Sequence, residues 1–163
     1  MILTLLFATA LHAGEHRELG PHVHGTAELN VAIEKNTVDV NLDIPGIDLI
    51  GFEHKPKKGA EQKKFDALVA HMNANYQLLN FPTDAGCTTV SSRLESTQHQ
   101  GETHTDFEYI VKYECKDMTK LDKIGVNLFK DYKSLKNVKV EIISETNQTS
   151  DTLTPQNTEF KLK

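Results

Sequence analysis

His22 and His24 flank a single valine inside a stretch, residues 22–34, whose apolar and polar residues alternate. On a β-strand residues i and i+2 leave the same face about 6–7 Å apart at Cα. Two imidazoles placed that way can converge on one ion, and imidazole is the side chain most often recruited for zinc, copper or nickel at neutral pH. Zinc prefers four nitrogen, sulfur or oxygen donors in a tetrahedron, so further ligands must come from elsewhere in the chain. The plain alternative is an exposed polar pair on a solvated strand face. His54 follows Leu49-Ile50-Gly51-Phe52-Glu53, where Gly51 permits a change of direction that could point the imidazole back toward the sheet. His54 also begins a basic run, Lys55 to Lys58, which is the pattern of a solvated loop. His99, Glu102, His104 and Asp106 form a third donor-rich segment, with His104 and Asp106 again at i and i+2. Such a pair offers a nitrogen and an oxygen ligand, or a histidine with a carboxylate behind it; an ordinary polar hairpin loop has the same composition. His16 lies near the expected mature N-terminus, His71 reads as a helix-surface residue, and His12 belongs to the leading apolar segment.

Eight histidines beside no tryptophan, in a chain of 163 residues, make the histidine segments worth placing. The net charge of −5 offers no general attraction to nucleic acid or anionic lipid, so neither is expected as a partner. The run Ile2 to Leu11 carries no charge and is too short to span a bilayer. Residues 1–13 therefore read as a signal peptide, with Ala8 and Ala10 or Ala13 supplying the small residues of a cleavage site. No lysine or arginine precedes the run, which leaves open a start upstream of Met1. Export implies a periplasmic location, no stable membrane insertion after cleavage, and an oxidising compartment in which Cys87 and Cys115 form one disulfide. Two thiolate metal ligands are the rival reading of these cysteines, which lack C-x-x-C spacing.

These residues need a scaffold, and residues 14–163 read as one domain of ordinary composition. The alternation over 22–34, a tight connection at Lys35-Asn36 and a second alternation through Ile44 predict a β-hairpin ended by Pro45-Gly46. A helix is predicted from Ala60 to about Asn80 on the spacing of Phe65, Leu68, Val69, Met72, Tyr76 and Leu79. Strands follow from Gly86-Cys87 to about Ser96 and from His104 to Cys115, joined by the loop Thr97 to Thr103. Thr119 to Asp122 resembles a capping box ahead of a second helix carrying Leu121, Ile124, Leu128, Phe129 and Tyr132. A strand at Val138 to Ile142 and a last one at Leu153 or Phe160 to Leu162 complete the pattern. The expected class is α+β: a mainly antiparallel sheet with two helices packed on one face.

Catalytic signatures are missing: there is no H-E-x-x-H, no G-x-S-x-G, no phosphate-binding glycine loop and no dinucleotide fingerprint. The chain is therefore expected not to be an enzyme. A metal-dependent enzyme would need a general base near the metal, for which Glu28 or Glu53 would serve. An interaction module with incidental histidines is the third alternative.

Four stretches together, HVHGTAELNVAIE (His22 to Glu34), DIPGIDLIGFEH (Asp43 to His54), the cysteine at 87 after the Pro82 turn, and HTDFEYIVKYEC (His104 to Cys115), resemble the ZrgA-type periplasmic zinc-binding proteins. The resemblance spans roughly residues 16–155. It implies a small periplasmic protein that binds Zn2+ through histidines and works with a zinc-import ABC transporter. Carried onto matching positions, it marks His22, His24, His54, His104 and Asp106 as metal ligands. The chain departs from the pattern in the loop STQHQGETHTD, which holds only His99 and His104 where relatives carry a dense histidine run. A single defined site, or two weak ones, is the expectation.

Overall fold

Alternation along five long strands dictates a sheet with one dry face and one wet face. The computed structural model describes residues 23–74, 76–97 and 104–162. Strands β1 (Thr26–Glu34) and β2 (Thr37–Pro45) form the expected hairpin, Glu34 standing opposite Thr37 across Lys35-Asn36. Every second residue of each is buried: Ala27, Leu29 and Val31 on β1, Val38, Val40, Leu42 and Ile44 on β2. Later in the chain come α1 (Gly46–Leu49), α2 (Ala60–Asn73), β3 (Leu79–Asn80), β4 (Thr88–Thr97) and β5 (Asp106–Glu114). They are followed by β6 (Lys123–Val126), α3 (Leu128–Asp131), β7 (Asn137–Ser144), β8 (Gln148–Leu153) and β9 (Glu159–Lys161). Six strands join in the order β4-β5-β2-β1-β7-β8. Among the described pairings β1 with β7 is parallel and the others are antiparallel, so the expectation of a mainly antiparallel sheet holds.

The dry face is covered by α2 and by a second, small sheet ordered β3-β6-β9. Ile124, Val126, Phe160 and Leu79 of the small sheet belong to the same hydrophobic cluster as Phe107, Tyr109 and Leu29 of the large one. Helix α2 sets Phe65 against Phe107 (ring centroids 5.8 Å) and buries Met72 completely. The opposite face carries polar residues such as Asn41, whose side-chain amide donates to Glu108 at 2.7 Å.

Two sequence expectations about helices need correction. The first helix ends at Asn73, well before Asn80, because Asn73 spends its side-chain oxygen on the backbone N–H of Leu94 in β4 (2.8 Å), and the chain beyond turns toward β3. The second expected helix shrinks to the single turn α3, so among the described residues α2 is the one long helix packed on the dry face. Asp117 instead caps a short 3-10 turn, Met118–Lys120, by accepting from Thr119 N–H at 2.9 Å, and Lys123–Val126 becomes a strand between β3 and β9. Pairing on both sides, with β-branched Ile124 and Val126 in the core, outweighs the helical spacing of the apolar residues.

Cys87 and Cys115 form the expected disulfide, which ties the start of β4 to the end of β5. With a sequence separation of 28 between the bridged positions, it stabilises the fold by about 3–4 kcal/mol in the chain-entropy account.

The four tyrosines gather around the end of α2 and the dry face. Tyr76 donates to Asp131 at 2.9 Å, and its ring meets Tyr109 and Tyr132 edge-on, each at 6.3 Å. Burial is the leading cause that raises all four phenols above their ordinary range, Tyr132 to about 12 and Tyr76 and Tyr113 further; for Tyr76 the Asp131 carboxylate adds to it. Phenols raised in the folded state favour it fully below the unfolded value near pH 10, and that contribution is lost as pH climbs through the folded values. Absorbance titration followed beside circular dichroism is expected to show no tyrosinate until the native signal collapses, well above pH 10. Ordinary titration of the tyrosines in a protein that keeps its native signal would refute this packing.

Candidate metal centre

At one end of the large sheet β1 begins, β2 ends and β5 begins, so three chain segments distant in sequence arrive together. Ahead of β1, the turn holding His24 is closed by Thr26 N–H donating to Val23 O at 3.0 Å, and Gly25 takes the left-handed φ of 79° that lets the chain enter the strand. After β2, Pro45 starts the single turn α1, closed by Ile50 N–H donating to Gly46 O at 2.8 Å. Gly51, at φ 88°, then reverses the chain so that Phe52 and Glu53 return along the sheet end. The third segment, His104-Thr105, leads into β5, and Thr105 O accepts from Gly46 N–H at 3.0 Å.

Glu53 is the side chain on which this end converges. Its Oε1 lies 2.7 Å from His24 Nε2 and its Oε2 lies 2.6 Å from His104 Nδ1. One carboxylate thus takes an imidazole on each oxygen. Glu53 is mostly covered, with 14% of its side chain exposed, while His24 and His104 are 63% and 56% exposed. The carboxylate is the anchored member, and the imidazoles are the solvent-facing ones. Two nitrogens and a carboxylate oxygen are donors of the type zinc selects. Among the described residues no group of three or more His, Cys, Asp or Glu stands in the arrangement of a formed metal site. His104 is hydrogen-bonded to one Glu53 oxygen, and His24 stands at ion-pair distance from the other.

The other expected ligands fall in different places. His54 turns away from Glu53: its Nε2 lies 3.0 Å from Glu61 Oε2 at the start of α2, and its ring rests against Phe52 with centroids 5.1 Å apart. Glu61 also accepts from Lys57 N–H at 2.9 Å, and that bond first, then His54, holds its carboxyl below the ordinary range. This exposed contact helps the fold above the usual carboxylate range and is lost as pH falls through Glu61's lowered value. Asp106 is buried at the start of β5, opposite Pro45 of β2, two residues past His104. His22, His16, His99, Glu102 and the expected signal segment lie outside the described residues. The strand expected to begin at His22 begins at Thr26, so His24 is presented by a turn and not by a strand face. The disulfide rules out Cys87 and Cys115 as thiolate ligands. In the sequence Glu53 stands out only as a candidate general base; its signal as a donor is its place between partly buried Phe52 and His54.

A sheet-rich domain that presents imidazoles around a covered carboxylate is the class of protein suited to holding a borderline-soft cation at its surface. The family described as "ZrgA family zinc uptake protein" matches residues 21–162, and the chain belongs to that family. No curated protein matches it. The family ties the chain to zinc uptake, and among the described residues no helix is long and apolar enough to cross a membrane.

The geometry demands opposite tautomers from the two histidines when neutral, since each must turn a protonated nitrogen to Glu53. Nitrogen-15 spectra of the imidazoles are expected to show His24 as the Nε2–H form and His104 as the Nδ1–H form, with both preferences weakened in Glu53→Gln. The same tautomer at both positions would contradict the bridge.

Proposed function

We propose that the chain is a periplasmic zinc-binding protein, not an enzyme, that captures zinc as cargo at His24, Glu53 and His104 and passes it toward a zinc-import ABC transporter. The observation that carries this reading is the single carboxylate shared by imidazoles from two distant segments. Membership of a zinc uptake family supports the identity of the cation. His22, two residues before His24, and Asp106, two residues after His104, complete the proposed donor set; His54 stands apart on Glu61. The non-enzymatic reading rests on the lack of catalytic signatures in the sequence, and the periplasmic one on the apolar leading segment and the disulfide.

Zinc competes with protons for these imidazoles and this carboxylate, so binding must release protons and weaken in acid. Exposed imidazoles suit a cation that has to be taken up and given away, since solvent and a partner's ligands can reach them.

Isothermal titration of zinc into metal-free mature protein is expected to show sub-micromolar binding that weakens as pH is lowered. His24→Ala/His104→Ala should lose at least about 100-fold in affinity and Glu53→Gln at least about 10-fold, since losing a ligand costs no less than losing a ligand's support. Parent binding no tighter than millimolar, or unchanged binding in the double variant, would overturn the proposal.

A further inference from the structure

We propose that Asp48, a residue of α1 with no expected metal contact, is the positioning residue that sets His24 against Glu53. This rests on the proposed function for the identity of the cation, though not for the contact itself. Asp48 is 6% exposed, an unusual setting for a carboxylate. Its Oδ2 accepts from Gly25 N–H at 2.6 Å, the backbone group directly after His24. A charge-assisted bond of that length is stronger and more directional than a neutral one. On the far side of the same glycine, Gly25 O accepts from Lys136 N–H (2.8 Å) and Asn137 N–H (3.0 Å) at the start of β7, and Ser134 Oγ donates back to Asp48 O at 3.1 Å. The turn that carries His24 is therefore gripped from both faces, by α1 and by the chain entering β7.

The same turn of helix fixes the other two members. At Gly46 a Cβ would lie 2.4 Å from Thr105 O and 2.8 Å from Phe52 O, so the backbones leading to His104 and to Glu53 both touch this one position. Within three residues, α1 thus contacts the segments of all three site side chains: Gly46 for His104 and Glu53, Asp48 for His24. Gly46 sets the spacing by close packing, which any side chain would disturb. Asp48 sets it by one hydrogen bond, which can be removed without filling space.

A double-mutant cycle tests whether Asp48 acts through His24. Zinc affinity is measured for the parent, Asp48→Ala, His24→Ala and the pair. Asp48→Ala is expected to lose about 10-fold, the scale seen when groups orienting a ligand are removed. The double variant should be no weaker than His24→Ala alone. Asp48→Asn, whose amide oxygen can still accept from Gly25, should recover most of the loss. Asp48→Ser keeps a polar group in the buried position but falls short of Gly25, and it replaces Asp48→Ala if that variant does not fold. Losses that add, or an Asp48→Ala affinity equal to the parent's, would overturn the assignment. The zinc-free protein supplies an independent arm: in Asp48→Ala the imidazole spectrum should lose the His24 Nε2–H preference and keep the His104 Nδ1–H one. If the parent binds no zinc, the proposed function fails and that spectrum alone decides the role of Asp48; an unchanged His24 signal refutes it.

Discussion

The contact on which the site depends is the close approach of the Gly46 backbone to Thr105 and Phe52. A carboxylate can hold two imidazoles at hydrogen-bond distance only if the three backbones that bear them converge; here two of them meet at one residue without a side chain, and the third, bearing His24, is held two residues on by Asp48. The larger architecture serves that convergence. Pairing of β2 with both β1 and β5 brings the ends of distant segments to one end of the sheet, and the parallel pairing of β1 with β7 braces the turn before β1 from the other side. The fold beneath is ordinary: one dry face, covered by a helix and a small sheet. The segment that organises this end is Pro45-Gly46-Ile47-Asp48, where a strand stops and a single helical turn meets the chain before β1 and the chain before β5.

The placing of charge at the site follows the same logic. Glu53 is the covered member, and a covered carboxylate is held in place only when its oxygens are satisfied. Both are, by imidazoles that remain open to solvent. A cation arriving from solvent meets the imidazoles first and the carboxylate behind them. His54, next in sequence to Glu53, is spent on the start of α2, so the loop from Gly51 to Gly59 is tied to the helix by His54 and Lys57 and to the sheet end by Glu53.

Much of this fold is legible in the residues, because strands with one buried face announce themselves by alternation. Both members of the β1-β2 hairpin, the strand ending at Cys115 and the strand around Val140 could be read that way, and both late strands considered, at Leu153 and at Phe160, are present. The disulfide followed from the expectation of an oxidising compartment and from the lack of metal-type spacing. The second helix misled because Leu121, Ile124, Leu128 and Phe129 keep a helical spacing while belonging to three different elements: a 3-10 turn's end, a strand and a single helical turn. Periodicity cannot separate those cases when pairing partners lie far along the chain. The site was half legible. His24 and His104 stood out by residue type, but the turn at Gly25 displaced His24 from its expected strand face, and Glu53 and Asp48 look like any other carboxylates until the backbone brings them to the sheet end.

The central claim is that a single cation sits among His24, Glu53 and His104. Diffraction from crystals of the zinc-loaded mature protein, recorded on both sides of the zinc absorption edge, tests it most directly. The account predicts an anomalous peak within about 2.0–2.2 Å of one nitrogen from each histidine and of a Glu53 oxygen. A peak at another place on the protein, with the imidazole–carboxylate bridge left intact, would contradict it.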